Sequence, residues 1–380
     1  MAMSTGKPDV DNVTSVPNND NTTMSEWEVL IERYDIRPLS PAGYLGCALY
    51  LLIVGLLATA GNSTTLIMFL KSQKLRVKPH NMLIINLALS DLGISVFGYP
   101  LTMLSCFAGR WIFGMVGCTV QGFTTFVFAL SDMYTLTVVS VYRWIAVCLP
   151  QYNHRLTVSL TLKVIGAEWI LCIVICAFPL VGMSSYTPEP FGTSCTIDWD
   201  DPQPASVFYV YLLILIAYLV PVGIMFYCYY KVVIRSGEIM RSLKQTAAKT
   251  LNIGEAETAN VNLAESKVTW ISLAMVAAFL VVWSPYALLS VVAIHKADIA
   301  LWLTTLPTMC CKASCALNPI IFYLTNPTFR RTFRATFCRS KKVAPSVPKR
   351  AQTFKVDKTR DGIFIGEANV TFRQADTTMF

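Results

Sequence analysis

Charge is scarce in this sequence. Only 14% of its 380 residues are Asp, Glu, Lys or Arg, where a soluble domain carries about 25%. Hydrophobic residues make up 54%, and the mean hydropathy is +0.50. That balance excludes a soluble multi-helix enzyme and puts most of the chain in lipid. No cleavable signal peptide is expected, because Met1–Ser40 is polar and mixed in charge. Inverted repeats and a second pair of broken helices are lacking, which argues against a transporter. The twelve cysteines do not form a secreted disulfide framework, since most fall in apolar spans or beside basic segments. No catalytic constellation, metal site or nucleic-acid surface is expected.

What is present is a series of seven apolar runs long enough to span: Tyr44–Leu70, Met82–Cys106, Val116–Val141, Leu162–Met183, Val207–Val232, Val268–Ala293 and Leu301–Leu324. The expected fold is all-α, a seven-transmembrane helix bundle over residues 43–325. An N-terminal segment, 1–42, precedes it. A short amphipathic helix, 326–338, and a disordered tail, 339–380, follow. The tail after Leu324 holds twelve Lys/Arg against four Asp/Glu. On the other side, seven acids face three bases before Tyr44, and four acids with no base lie between Ser184 and Ser206. The positive-inside rule then places the N-terminus outside and the C-terminus in the cytosol of a multi-pass cell-membrane protein. Asn12 and Asn21 are glycosylation sequons on the outer segment, whereas the sequon at Asn369 is cytosolic and expected to be unused.

Lys312 is the residue out of place. It lies about eleven residues into the last span, roughly 16 Å deep at 1.5 Å per residue. An ammonium there costs several kcal/mol unless it faces the bundle interior and is paired or neutralised, and snorkelling to the interface is a poor alternative at that depth. A lysine held away from water is an amine suited to condensing with a carbonyl compound as a Schiff base. Asn318-Pro319, six residues on, is expected to interrupt the helix.

Other polar groups share the membrane interior. Asn62 in the first span and Asp91 in the second are natural hydrogen-bond partners, either functional or a packing network. Asp132 in the third span and Glu168 beside Trp169 in the fourth have no partner assignable from sequence. Cys118, at the outer start of the third span, and Cys195, in the loop PEPFGTSCTIDWD, both face an oxidising compartment; bridging them would pin that loop over the bundle mouth, with Cys106 the competing partner. Cys338 suits palmitoylation at the membrane surface. Pro285 is expected to kink the sixth span, with Trp283 and Tyr286 on either side of the kink. Such an aromatic stripe is often plain packing, but with a mid-span lysine it reads as a slot for a long conjugated aldehyde.

Over Gly43–Cys338 the chain resembles the rhodopsin-like G-protein-coupled receptors. The resemblance rests on Asn62, Asp91, the Cys118–Cys195 pair, Arg143, Trp169, Pro221, Tyr229, the run WSPY at Trp283–Tyr286, and Asn318-Pro319. Within that class, a lysine six residues before the Asn-Pro is the hallmark of opsins. The runs LALSDLGISVFG, SCFAGRWIFGMVGC and PLVGMSSYTPEPFGTSCTIDW are most similar to the neuropsins, the opsin-5 group.

The resemblance implies a photoreceptor that holds retinal on Lys312, in its 11-cis or all-trans form, against Trp283 and Tyr286. It implies output through a heterotrimeric G protein, of the Gi/Go type for neuropsins, and regulation by a receptor kinase and arrestin. Gln121 stands where vertebrate visual opsins carry a counterion and cannot serve; Glu189, six residues before Cys195, matches the other counterion position known in opsins, with Asp91 and Asp132 as runners-up. Arg143 matches the arginine that docks the G protein, paired with Glu265 and approached by Tyr229 in the active state. Tyr142 replaces its usual acidic neighbour, and Phe322 replaces the tyrosine after Asn318-Pro319. Those departures keep open a second reading, a retinal photoisomerase or all-trans-retinal sensor with weak or inverted signalling. Some neuropsins carry a lysine in the second span where this chain has Tyr99. Residues 327–337 would lie along membrane lipid, with arginines at the phosphates.

Overall fold

The computed structural model describes residues 26–334 apart from 72, 248–252, 296–298, 326–329 and 332, and leaves the side chains of 26, 74–75, 240, 243–247, 253–268 and 325 undescribed. Six of its helices are long and apolar enough to cross a membrane: Pro41–Lys71, Pro79–Ala108, Gly114–Cys148, Val158–Val181, Pro204–Ile239 and Thr269–Ile294, the last continuing a helix that starts at Ile253. The seventh crossing is made by two shorter helices, Leu301–Lys312 and Ser314–Thr325, which meet at Ala313. Together they form an all-α seven-transmembrane bundle. In lipid every backbone N–H and C=O needs a partner within the protein, which leaves helices as the way for these apolar runs to cross.

The helices overrun the apolar runs that betray them. The third continues seven residues past Val141 to Cys148, and the sixth begins well before Val268, because a helix persists into the interface where its side chains turn polar. Two helices contain a wide π-helical turn, Ile94–Gly98 in the second and Ile214–Leu219 in the fifth. Such turns recur at functional sites, and both lie beside the central cavities described below.

Close packing relies on small residues. A Cβ on Gly61 of the first helix would lie 2.7 Å from the Pro319 ring, so glycine lets the first and seventh helices touch there. Gly122 of the third helix gives the same room to Tyr186. Tyr186 belongs to the one sheet among the described residues, a hairpin of β1 (Tyr186–Pro188) and β2 (Cys195–Ile197), with Pro188 opposite Cys195. A disulfide from Cys118 to Cys195 ties β2 to the third helix, and Cys106 stays a free thiol.

One expectation about the helices needs correction. Pro319 does not interrupt its helix, because it sits inside Ser314–Thr325; the break lies six residues earlier, at Ala313. The proline removes only the donor for the Cys315 carbonyl, and Asn62 supplies a replacement at 2.8 Å. Pro285 also lies inside its helix, Ile253–Ile294. Of the amphipathic helix expected over 326–338, residues 330–331 and 333–334 are helical and the others lie outside the described residues. Asn12, Asn21, Cys338 and the tail 339–380 lie outside them too.

Candidate functional site

Lys312 ends the first half of the seventh crossing and reaches into a central cavity. The second helix contributes Tyr99, the third Gln121 and Phe126, the sixth Trp283 and Tyr286, and the hairpin Glu189 and Thr196. A neighbouring cavity shares Phe126, Ala129, Trp283 and Tyr286 with the first and extends between the third, fifth and sixth helices. Its walls are mostly apolar, including Leu130, Met133, Leu213 and Ile214. Side by side, the two make a slot with an amine at one end and hydrocarbon at the other. Trp283 and Tyr286 meet edge to face at 6.2 Å along this wall, and Phe279 stacks on Trp283 at 5.4 Å.

The polar end is built by the hairpin. Lys312 Nζ donates to Ser194 Oγ at 3.2 Å, and Ser194 Oγ donates to Glu189 Oε1 at 3.4 Å. One hydroxyl therefore stands between the amine and the carboxylate. Glu189 is 4% exposed, and its second oxygen has no hydrogen-bond partner. Burial pushes its carboxyl above the usual range, and Lys312, Thr308 and Ser194 oppose that rise. Charge on Glu189 is thus tied to a cation at Lys312. Of the three acids weighed as counterions, Glu189 is the one that lines the cavity; Asp91 and Asp132 are not among the lining residues.

Gln121 acts as a clamp for this end. Its Oε1 accepts from Cys195 N–H at 2.8 Å and its Nε2 donates to Thr102 at 2.8 Å. Thr196 and Tyr286 join hydroxyl to hydroxyl at 2.9 Å, linking β2 to the sixth helix.

The remaining polar residues form a second centre. Asn318 Nδ2 donates to Asp91 Oδ2 at 2.9 Å. Asn62, expected to bond Asp91, donates instead to the Ala58 and Cys315 carbonyls, the second of which is the carbonyl that Pro319 leaves without its helical donor. Asp132 lies beside Asp91 and Cys315, with ligand atoms of the three within 4.8 Å of one another. Glu168 Oε1 accepts from Thr135 at 2.8 Å, Ser131 at 3.0 Å and Asn86 at 3.3 Å, and Trp169 donates to Asn86 Oδ1 at 2.8 Å. Sequence reasoning missed Ser194, Thr135, Ser131 and Asn86, and small polar residues in a membrane span carry no signal that singles them out.

At the opposite end Arg143 is buried in the third helix, with the buried Tyr229 of the fifth helix in electrostatic reach. Tyr142 does not stand in for a restraining acid: its hydroxyl bonds Thr161 of the fourth helix at 3.1 Å. The Glu265 side chain lies outside the described residues. Phe322 is buried, whereas Tyr323 is 37% exposed.

Residues 61–322 match the family model described as 7 transmembrane receptor (rhodopsin family). The chain belongs to the rhodopsin family of seven-transmembrane receptors. This rhodopsin-family chain is 33% identical over 301 residues to human visual pigment-like receptor peropsin, covering 78% of the chain and 86% of the relative. It is 34% identical over 284 residues to human opsin-5, covering 74% and 78%. The crystal structure of squid rhodopsin superposes with a TM-score of 0.72 at 26% identity, covering 80% of this chain and 87% of that one. These relatives make it an opsin-like, light-sensing receptor of a class that acts through heterotrimeric G proteins, a multi-pass membrane protein and not an enzyme, and they favour no single opsin subgroup.

Proposed function

We propose that this receptor binds retinal as a Schiff base on Lys312 and couples light absorption to nucleotide exchange on a heterotrimeric G protein of the Gi/Go type. The observation that carries the reading is Lys312 itself, an amine inside an aromatic slot and joined through Ser194 to a buried carboxylate. The residues present fit such a ligand: an amphiphilic aldehyde would meet the amine at the polar end and Leu130, Met133 and Leu213 at the other. Bound retinal supplies a polyene that light isomerises. The chain supplies the rest. Lys312 forms the covalent link, Ser194 and Glu189 hold the proton at its nitrogen, and the disulfide-tied hairpin keeps bulk water out. Trp283 and Tyr286 are the walls against which a change of ligand shape would press.

The hairpin end faces outward and the Arg143 end faces the cytosol, in line with the loop charges. Arg143, Glu265 and Tyr229 serve G-protein coupling, and Asn318 with Pro319 carries the seventh-helix switch to Asp91. Receptor kinase and arrestin would act on the cytosolic tail, and the basic segment after Asn326 would meet lipid phosphates. Within the family, the resemblance of LALSDLGISVFG, SCFAGRWIFGMVGC and PLVGMSSYTPEPFGTSCTIDW to the neuropsins is the ground for reading the chain as of that branch.

A second reading, retinal photoisomerase or all-trans-retinal sensor, is favoured by Tyr142, which bonds Thr161, and by Phe322 where a hydroxyl is usual. Light-dependent GTPγS exchange on purified Gi and Go separates the two. The receptor reading expects exchange that rises on illumination of the retinal-loaded protein. Isomer conversion with no exchange on any G protein, in light or dark, would establish the second.

A further inference from the structure

We propose that Tyr99 positions Lys312 by holding the seventh crossing open at Ala313. The inference rests on Lys312 being the retinal site and adds a residue that acts through it. At the break, Ala313 N–H donates to Cys310 O at 2.9 Å and Ala316 N–H to Ala313 O at 3.0 Å. In a regular helix these two N–H groups would serve the Met309 and Lys312 carbonyls. Pro319, lacking an N–H, likewise cannot serve Cys315 O.

Three carbonyls at three-residue spacing therefore need outside donors, since a membrane offers no water to an unmet one. Each has one. Tyr50 OH donates to Met309 O at 2.8 Å, Asn62 Nδ2 to Cys315 O at 2.8 Å, and Tyr99 OH to Lys312 O. The first and second helices thus cap one face of the broken helix while the Lys312 side chain reaches Ser194 in the cavity.

Tyr99 is placed for this task. It is 4% exposed, follows the π-helical turn Ile94–Gly98, and lines the cavity itself. Gly55 of the first helix makes room for its ring, since a Cβ there would lie 3.3 Å from Tyr99 Cδ2. Without the Tyr99 hydroxyl, the ready donor for Lys312 O is Ala316 N–H. Making that bond closes the helix through Ala313, turns Lys312, and draws its amine away from Ser194 and Glu189.

The test compares wild type, Tyr99→Phe and Gly55→Ala as full-length protein. Retinal attachment is timed by borohydride trapping at saturating retinal, alongside the half-saturating concentration and the thermal stability of the retinal-free protein. Tyr99→Phe is expected to slow attachment at least ten-fold while moving half-saturation less than three-fold. Gly55→Ala, which crowds the ring without removing the hydroxyl, is expected to slow it two- to five-fold, and it carries the test if Tyr99→Phe does not fold. Lowered thermal stability with an unchanged attachment rate in the folded fraction would show a merely structural role and overturn the proposal. A wild type that attaches retinal at the same rate as both variants overturns the positioning role alone. A wild type that traps no retinal on Lys312 overturns the attachment site as well.

Discussion

Replacing Glu189 by Gln removes the carboxylate at the polar end of the slot while preserving its shape. The relay of 3.2 and 3.4 Å bonds through Ser194 sets the separation of the two charges. At roughly 6 Å and an effective dielectric constant of about 20, two unit charges attract by about 3 kcal/mol. That is about two pKa units, favouring the protonated base while Glu189 is charged. The Schiff-base pKa should therefore fall by about two units in Glu189→Gln. The assay is a spectrophotometric pH titration of whichever form absorbs above roughly 400 nm, because a form already deprotonated has nothing to lose. Asp91→Asn and Asp132→Asn serve as comparisons, since neither residue lines the cavity. An unchanged titration in Glu189→Gln, with a large fall in either Asp variant, would refute the reasoning and move the counterion into the second polar centre.

Other substitutions probe the remaining parts. Arg143→Ala should leave the absorption spectrum intact and abolish light-dependent GTPγS exchange, while Tyr142→Asp should lower dark exchange by giving Arg143 an adjacent anion. Glu168→Ala strands the Thr135, Ser131 and Asn86 donors and should cost about 3 kcal/mol in detergent unfolding, against about 1 kcal/mol for Glu168→Gln, which keeps an acceptor oxygen. Gly61→Ala places a Cβ against the rigid Pro319 ring and should cost about 1–3 kcal/mol in the same assay.

The sequence made legible those residues whose type conflicts with their depth. Lys312 betrays itself as a charge in an apolar run, and Trp283 and Tyr286 gain meaning only from it. Cys118 and Cys195 stand out as cysteines on the same side of the membrane, and seven apolar runs suffice for the bundle. Partner choice was not legible in the same way. Asn62 serves a backbone carbonyl instead of Asp91, because Pro319 creates an acceptor whose need no spacing reveals. The break at Ala313 has no proline to announce it; it depends on Tyr50 and Tyr99, on other helices. Ser194, between Lys312 and Glu189, reads as any loop serine until the hairpin and its disulfide bring it there. The π-helical turns beside the cavities follow from packing among helices, which local propensity does not encode.

The central claim is that Lys312 is a covalent retinal site. The protein is incubated separately with 11-cis- and all-trans-retinal, reduced with borohydride in darkness and after illumination, and digested for mass spectrometry. The expected result is a retinyl group on the peptide containing Lys312 with at least one isomer, and neither adduct nor retinal-dependent absorption band in Lys312→Ala. A normal covalent pigment in Lys312→Ala, or an adduct on another lysine, would contradict it.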